Sequence, residues 1–164
     1  AWKTRMEAYI ELAEMLNGVE EGDACVEDYG PVVSKAVADS NVNAQDKGID
    51  AAISFVKKAS AQLLSRHAAN IISKVVEKAF VQAKCKAKGQ ELSLSLIEAD
   101  CGEVVTDELI KGCSNKQPKI SGAAAECLRM AVQSFGLRAL GPQSKAVVKL
   151  SVTLFDSTVA AVRG

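Results

Sequence analysis

Residues 39–48 of the chain read DSNVNAQDKG, a polar turn followed by the start of an amphipathic helix. The closing pair, a basic residue before glycine, recurs at Lys88-Gly89 and Arg163-Gly164, and Ser121-Gly122 belongs to the same series. Counted from Gly48, these glycines are 41, 33 and 42 residues apart. A period of about 40 residues in a helix-rich chain is typical of an α-solenoid, in which helical hairpins stack on one another. The sequence therefore predicts an all-α fold of antiparallel helix pairs.

The composition agrees with a helical repeat protein. Of the 164 residues, 48% are hydrophobic and only 4% are aromatic, which favours helix over sheet. The chain is long enough to bury a core as one domain or one block of repeats. Its formal net charge is zero, so any electrostatic preference for a partner depends on where the charges lie.

Apolar residues follow helical spacing in successive segments of the chain. The first begins at Trp2 and stops at Asn17-Gly18, and the acidic stretch over residues 20–28 is predicted to be a solvated loop. Further helices are predicted at about 31–38, 42–59, 62–81, 84–98, 103–113, 118–135 and 142–155, with a ninth capped by residues 156–158. Links this short force neighbouring helices to run antiparallel. Because the chain begins at a turn and stops inside the ninth helix, we expect an α-solenoid truncated at both ends.

Five cysteines lie at positions 25, 85, 101, 113 and 127, an odd number without a C-x-x-C pair. Most of them stand in apolar helical patterns, where cysteine behaves as a small hydrophobe. No apolar run approaches the roughly 18 residues that span a bilayer. We therefore expect a reduced, soluble, cytosolic protein that does not interact with membranes.

No residue pattern predicts catalysis or a bound cofactor. His67 is the only histidine and has no cysteine or carboxylate at metal-ligand spacing. The chain contains no nucleophile elbow, phosphate-binding loop or H-E-x-x-H motif. We expect neither enzymatic activity nor a metal, a cofactor or a small-molecule substrate.

Four segments resemble TOG domains of the microtubule polymerase family, and the match is most like the first TOG domain of an array. They are Trp2-Lys3-Thr4-Arg5, residues 38–48, residues 115–120 and residues 156–163, in the family's order. The resemblance implies a flat paddle of HEAT repeats that binds the curved αβ-tubulin heterodimer along one edge. It also implies that residues 1–164 form a partial TOG domain, from the end of HEAT repeat 1 through the first part of HEAT repeat 5.

The same resemblance implies which residues contact tubulin. In the family the turns inside successive repeats line up along one edge, and Trp2 is expected to pack on β-tubulin while Arg163 meets α-tubulin. The expected tubulin-binding residues are Trp2, Lys3, Ser40, Asn41, Asn43, Lys84, Lys86, Lys88, Lys116, Lys119 and Arg163.

The residues themselves leave other interpretations open. A lone tryptophan at a helix start, such as Trp2, can be a core residue instead of an interface anchor. The lysines can form an ordinary solvated face, although two clusters at equivalent turns would lie on one edge and attract an acidic partner. No aromatic residues are interleaved with these lysines, which argues against nucleic acid. Asp39, Ser40 and Asn41 are also simple helix caps, and Lys47 resembles the basic position of inter-repeat salt bridges in HEAT arrays.

We expect the chain to bind curved αβ-tubulin as part of a microtubule-associated protein that promotes microtubule assembly. Such a protein would act in the cytoplasm on the cytoskeleton, at microtubule ends, the spindle or the centrosome. The alternative is a generic HEAT-repeat scaffold for protein interactions, which would place recognition on a concave helix face rather than on turns.

Overall fold

The structure is a computed structural model, which describes the backbone of residues 1–155 and the side chains of residues 1–152. Its α-helices are α1 (Trp2–Gly18), α2 (Gly30–Val37), α3 (Val42–Lys58), α4 (Ala61–Lys74), α5 (Lys86–Leu96), α6 (Gly102–Cys113), α7 (Pro118–Phe135) and α8 (Ser144–Phe155). No strand occurs over residues 1–155, so the predicted all-α fold is confirmed. The predicted ninth helix lies outside the described residues.

The helices stack in two layers. Helices α1, α3, α5 and α7 lie side by side in one layer, and α2, α4 and α6 lie side by side in the other. Within a repeat the two layers meet, as α2 packs on α3 and α6 packs on α7. Short turns between consecutive helices make each pair antiparallel. As a result, the beginnings of α3, α5 and α7 lie at the same edge of the stack as the beginning of α1.

Capping residues explain where several helices start and stop. The Asn41 side chain accepts hydrogen bonds from the backbone N–H groups at the start of α3, and Ser60 Oγ accepts one from Leu63 N at 3.2 Å. Pro118 occupies the first position of α7, and Gly136, with φ of 74°, follows its last residue. These signals are local, and the predicted bounds of α7 agree with the structure.

One continuous hydrophobic core runs through the stack from α1 to α8. It includes Leu16, Phe55, Ile71 and Leu109, each fully buried. The helices of one repeat approach closely at Gly48, where a Cβ atom would collide with the carbonyl group of Ala36. The recurring glycine therefore permits close crossing of α2 and α3.

The structure differs from the predicted elements in four places. Residues 24–29, predicted as solvated loop, form a 3₁₀ helix that buries Val26. The end of α4 passes into a π-helical turn at Val75–Ala79, and α5 is followed by a turn at Ile97–Cys101 in which Asp100, with φ of 66°, breaks the helix. Before α8, Leu137–Gln143 forms a 3₁₀ segment, because Gly141 has φ of 64° and cannot continue an α-helix. The start predicted at Pro142 is therefore wrong, and α8 begins at Ser144.

All five cysteines are free thiols. Cys85, Cys113 and Cys127 are buried, and burial raises the pKa of the Cys113 and Cys127 thiols to about 12. These side chains act as small apolar residues of the core. Among residues 1–155, no helix is both long and apolar enough to cross a membrane.

Candidate functional site

The predicted binding residues that the structure describes gather on one edge of the stack. This turn edge comprises residues 1–5, 38–43, 80–88 and 114–119, which precede or begin α1, α3, α5 and α7. Side-chain contacts join successive turns along it. Arg163 lies outside the described residues.

Asp39 connects the first two turns. Its carboxylate accepts hydrogen bonds from Arg5 Nε at 2.7 Å and Arg5 Nη2 at 2.9 Å, and from the Tyr9 hydroxyl at 3.1 Å. It also accepts one from the backbone N–H of Asn41 at 2.9 Å. The Arg5 guanidinium, with these other donors, lowers the pKa of the Asp39 carboxyl below its usual value. The Asp39 side chain is only 3% exposed, whereas Arg5 is 46% exposed, so a buried carboxylate of the second turn meets a guanidinium of α1 that stays in contact with solvent.

Trp2 stands at the first turn of α1 and is half-buried. It is not among the buried core residues, and the neighbouring Lys3 ammonium lies 5.8 Å from its ring centroid. Trp2 therefore keeps part of its ring available to a partner, next to an exposed positive charge.

The second turn presents Ser40 and Asn41 and reaches the third turn through Asn43. Asn41 Oδ1 accepts hydrogen bonds from the N–H groups of Asn43 at 3.0 Å and Ala44 at 3.2 Å, which fixes this turn. Asn43 Oδ1 accepts a hydrogen bond from Lys84 Nζ at 2.8 Å. Ser40 is exposed and needs no rearrangement to meet a partner.

The three lysines of the third turn have different surroundings. Lys84 is exposed and contacts the neutral Asn43 amide, and it forms no ion pair within the part of the chain that the structure describes. Lys86 Nζ lies 3.3 Å from the Glu126 carboxylate of α7. Lys88 Nζ lies 2.8 Å from Asp50 and 3.0 Å from Asp46, both on α3. Burial opposes the charged form of Lys88, but hydrogen bonds to the two aspartates outweigh it and raise its pKa. Lys88 is thus the most strongly engaged of the three.

The expectation that Lys47 forms the inter-repeat salt bridge is wrong. Its ammonium lies 3.8 Å from Asp46 and 3.7 Å from Asp50, both in its own helix. These two carboxylates lie next to Lys47 along α3 and attract it locally. The bridge between repeats comes from Lys88, which reaches the same pair of carboxylates from α5.

The fourth turn carries the least compensated positive charge of the edge. Lys116 and Lys119 are exposed and form no ion pair with any residue that the structure describes. Asn115 Oδ1 accepts a hydrogen bond from Gln117 N at 2.9 Å and shapes the turn. A groove of about 320 Å³ separates this turn from the third, with Phe80 and Lys86 on one wall and Lys119 on the other.

Sequence reasoning overlooked the carboxylates and amides that hold these turns. Asp39 was interpreted only as a helix cap, and Asp46 and Asp50 had no assigned partner. The signal was present, because Asp50 precedes Lys88 by 38 residues and Asn43 precedes Lys84 by 41, close to one repeat period. Side chains one period apart on stacked repeats lie next to each other.

Residues 1–155 contain no group of histidine, cysteine and carboxylate side chains that could hold a metal ion. His67 packs edge-on against the Phe55 ring, with the centroids 6.3 Å apart. The edge opposite the turn edge has two grooves of about 510 and 530 Å³, both lined partly by Asp100.

The chain is similar to known proteins over its whole length. The TOG domain of the XMAP215/Dis1/CLASP family matches residues 1–164. Protein MOR1 of Oryza sativa subsp. japonica is 32% identical over 157 residues, 94% of this chain and 8% of that protein. Protein mini spindles of Drosophila melanogaster is 29% identical over 165 residues, 99% of this chain and 8% of that protein. Centrosomal protein 224 of Dictyostelium discoideum is 31% identical over 138 residues. The chain spans less than a tenth of the length of these three relatives.

A solved structure has the same fold. It superposes with a TM-score of 0.84 at 22% identity and covers 99% of this chain and 35% of the other. It concerns the structural basis of tubulin recruitment and assembly by microtubule polymerases with TOG domain arrays. The likeness confirms the helical solenoid that the sequence predicts.

Proposed function

The chain belongs to the TOG domain family of the XMAP215/Dis1/CLASP proteins, and on this basis we propose that its turn edge binds the curved αβ-tubulin heterodimer. The observation that carries the proposal is the arrangement of the edge. Four successive turns present a partly exposed Trp2, the Ser40–Asn43 turn and uncompensated lysines in one line. A line of that kind suits an extended acidic protein surface better than a small molecule.

In this proposal binding is non-covalent and involves no catalysis. Trp2 supplies a large rigid apolar contact at one end of the edge, where it packs on β-tubulin. Lys3, Lys84, Lys116 and Lys119 attract carboxylates and mainly increase the association rate. The edge is held by its own side chains before any partner arrives, so little conformational entropy is lost on binding. A fixed line of turns that fits bent tubulin fits straight lattice tubulin less well, which would favour release after incorporation.

Some of the remaining predicted residues are free to contact tubulin, and others already hold contacts within the chain. Ser40 and Asn41 are proposed to contact tubulin from the capped second turn. Asn43, Lys86 and Lys88 already have partners within the chain, so we propose that they contact tubulin only through the part of each side chain that stays exposed. Arg163, outside the described residues, keeps its proposed place on α-tubulin.

We also propose a setting for the domain. The described helix pairs fit the end of HEAT repeat 1 through the beginning of HEAT repeat 5 of a TOG domain, within a longer microtubule-associated protein that promotes assembly. Relatives named for the mini spindles, the centrosome and the spindle pole body support action in the cytoplasm at microtubule ends, the spindle or the centrosome.

Size-exclusion chromatography with GTP-tubulin at low salt tests the proposal. We expect the chain to co-elute with tubulin, and Trp2→Ala to abolish co-elution while the circular dichroism spectrum stays helical. A parent chain that elutes separately from tubulin at micromolar concentration would refute it. Binding that survives Trp2→Ala and charge reversal of Lys84, Lys116 and Lys119 would instead indicate a scaffold that binds through a helix face.

A further inference from the structure

We infer that Asp39 is a positioning residue of the turn edge, which holds the first turn, with Trp2, in register with the second turn. The inference rests on the proposed function, because it concerns the residues proposed to meet tubulin. Asp39 itself is 3% exposed at its side chain and cannot contribute much contact to a partner. Its effect on binding must therefore act through other residues.

The geometry connects Asp39 to both turns at once. From α1 it receives the Arg5 guanidinium through two nearly parallel hydrogen bonds and the Tyr9 hydroxyl through a third. From its own turn it receives the N–H of Asn41, whose side chain in turn caps α3. A bidentate arginine–carboxylate contact fixes orientation as well as distance. Arg5 therefore cannot move along α1's axis or rotate without breaking contacts to the second turn.

Arg5 also connects this contact to Trp2. The two residues are three apart on α1, so their side chains lie on neighbouring positions of one helix face. The backbone N–H of Arg5 donates to the carbonyl of Ala1 at 3.3 Å, which ties Ala1 to the first turn of the helix. Loss of the Asp39 contact would release the first turn of α1, where helix ends fray most readily. The Trp2 ring would then sample more orientations.

The tubulin affinity of Asp39→Asn distinguishes a positioning role of Asp39 from a purely electrostatic one. The variant keeps the size of the side chain but removes a negative charge from an edge proposed to meet an acidic partner. If charge alone mattered, the variant would bind tubulin faster and more tightly. If Asp39 positions Trp2, we expect it to bind about tenfold more weakly, because the preorganisation of the anchor is lost.

A double-mutant cycle with Trp2→Ala shows whether the effect passes through Trp2. We expect Asp39→Asn to cause little further loss of affinity once Trp2 is absent, because coupled residues are non-additive.

Lys58→Met is the matched control. Lys58 Nζ donates to the carbonyl of Val19 at 2.7 Å and ties α3 to the chain after α1 at the opposite edge. This change should leave tubulin affinity as it is.

Fluorescence of Trp2, the only tryptophan, supplies a readout without tubulin. We expect Asp39→Asn, measured well below its melting temperature, to lower the emission anisotropy and to increase quenching by acrylamide. Arg5→Lys retains the charge but not the bidentate geometry, so it should also lower the emission anisotropy and increase the quenching. It replaces Asp39→Asn in the test if that variant does not fold. Unchanged Trp2 emission and affinity in these variants would overturn the inference. Failure of the unaltered chain to bind tubulin would refute the proposed function alone, since the emission still tests the coupling of Asp39 to Trp2.

Discussion

Lys88 Nζ lies 3.0 Å from the Asp46 carboxylate and joins α5 to α3 of the preceding repeat. Asp50 accepts a hydrogen bond from the same ammonium at 2.8 Å, so one lysine compensates two carboxylates. A basic residue expected to face a partner is thus also part of the contact between repeats. Within this lysine cluster, Lys88 therefore contributes to stability, whereas Lys84 remains available for binding.

Lys88→Met should destabilise the fold more than it weakens binding. Removing the ammonium leaves Asp46 and Asp50 with only the longer contacts to Lys47, at 3.8 and 3.7 Å, and we expect a loss of about 1–2 kcal/mol in the free energy of unfolding. Urea denaturation measures this loss. Lys84→Met is the control, because its partner is the neutral Asn43 amide, and it should change stability by less than about 0.5 kcal/mol. Equal stability losses for the two variants would contradict the distinction.

Charge reversal at the uncompensated lysines should slow capture of tubulin. Changing Lys84, Lys116 and Lys119 to Glu removes the attraction to an acidic surface, so we expect a lower association rate and a weaker dependence of that rate on salt. Stopped-flow mixing across a salt series measures both. Lys57→Glu, an exposed change at the opposite edge, controls for net charge when it is compared with Lys116→Glu alone, because each changes the net charge by the same amount. Identical salt slopes for the triple variant and the parent chain would show that these lysines are only a solvated face.

Trp2→Ala should weaken binding without unfolding the chain. Truncating a tryptophan that anchors an interface typically costs about 2–4 kcal/mol of binding free energy. Because the ring is half-buried and outside the buried core, we expect the melting temperature to move only slightly. Thermal melting and tubulin affinity are measured on the same variant. A large fall in melting temperature with intact binding would make Trp2 a core residue.

The Asp39 contact should give the fold a specific acid sensitivity. Because the contact with Arg5 lowers the pKa of Asp39, its stabilisation is complete above the unfolded value of about 3.9 and is lost as pH falls through the folded value. We therefore expect the stability difference between the parent and Asp39→Asn to be constant above about pH 5 and to shrink below about pH 4. Urea denaturation at several pH values measures it. Glu126 and Asp23, whose pKa values are also lowered, are present in both proteins and cancel in the difference.

Local signals were enough to predict most of the fold, and tertiary contacts account for what was not predicted. Pro118 and Gly136 bracket α7, so its bounds follow from the sequence. The π-helical turn after α4 and the helix break at Asp100 after α5 have no comparable local signal. Pro142 was misinterpreted as a helix start because Gly141, with φ of 64°, interrupts the helix just before it, and the residue spacing does not reveal that conformation.

The turn edge was predicted from the resemblance to TOG domains and from lysine clusters at equivalent turns, but the partners of its side chains were not predicted. Those partners depend on how each helix is rotated about its axis, which a repeat spacing does not specify. Lys47 and Lys88 occupy equivalent places before a glycine, yet only Lys88 bridges two repeats. The difference arises because Asp46 and Asp50 of α3 face α5, the next helix of the same layer.

The neutral partner of Lys84 has a consequence for how this edge can change over generations. Asparagine and aspartate codons differ by one base, so a single substitution in the gene converts the amide at position 43 into a carboxylate. The new group would stand 2.8 Å from the same ammonium and cancel its charge, while the cap that Asn41 provides stays in place. Paralogues could therefore diverge in how fast they capture an acidic partner by drift at this one codon, without loss of the folded domain.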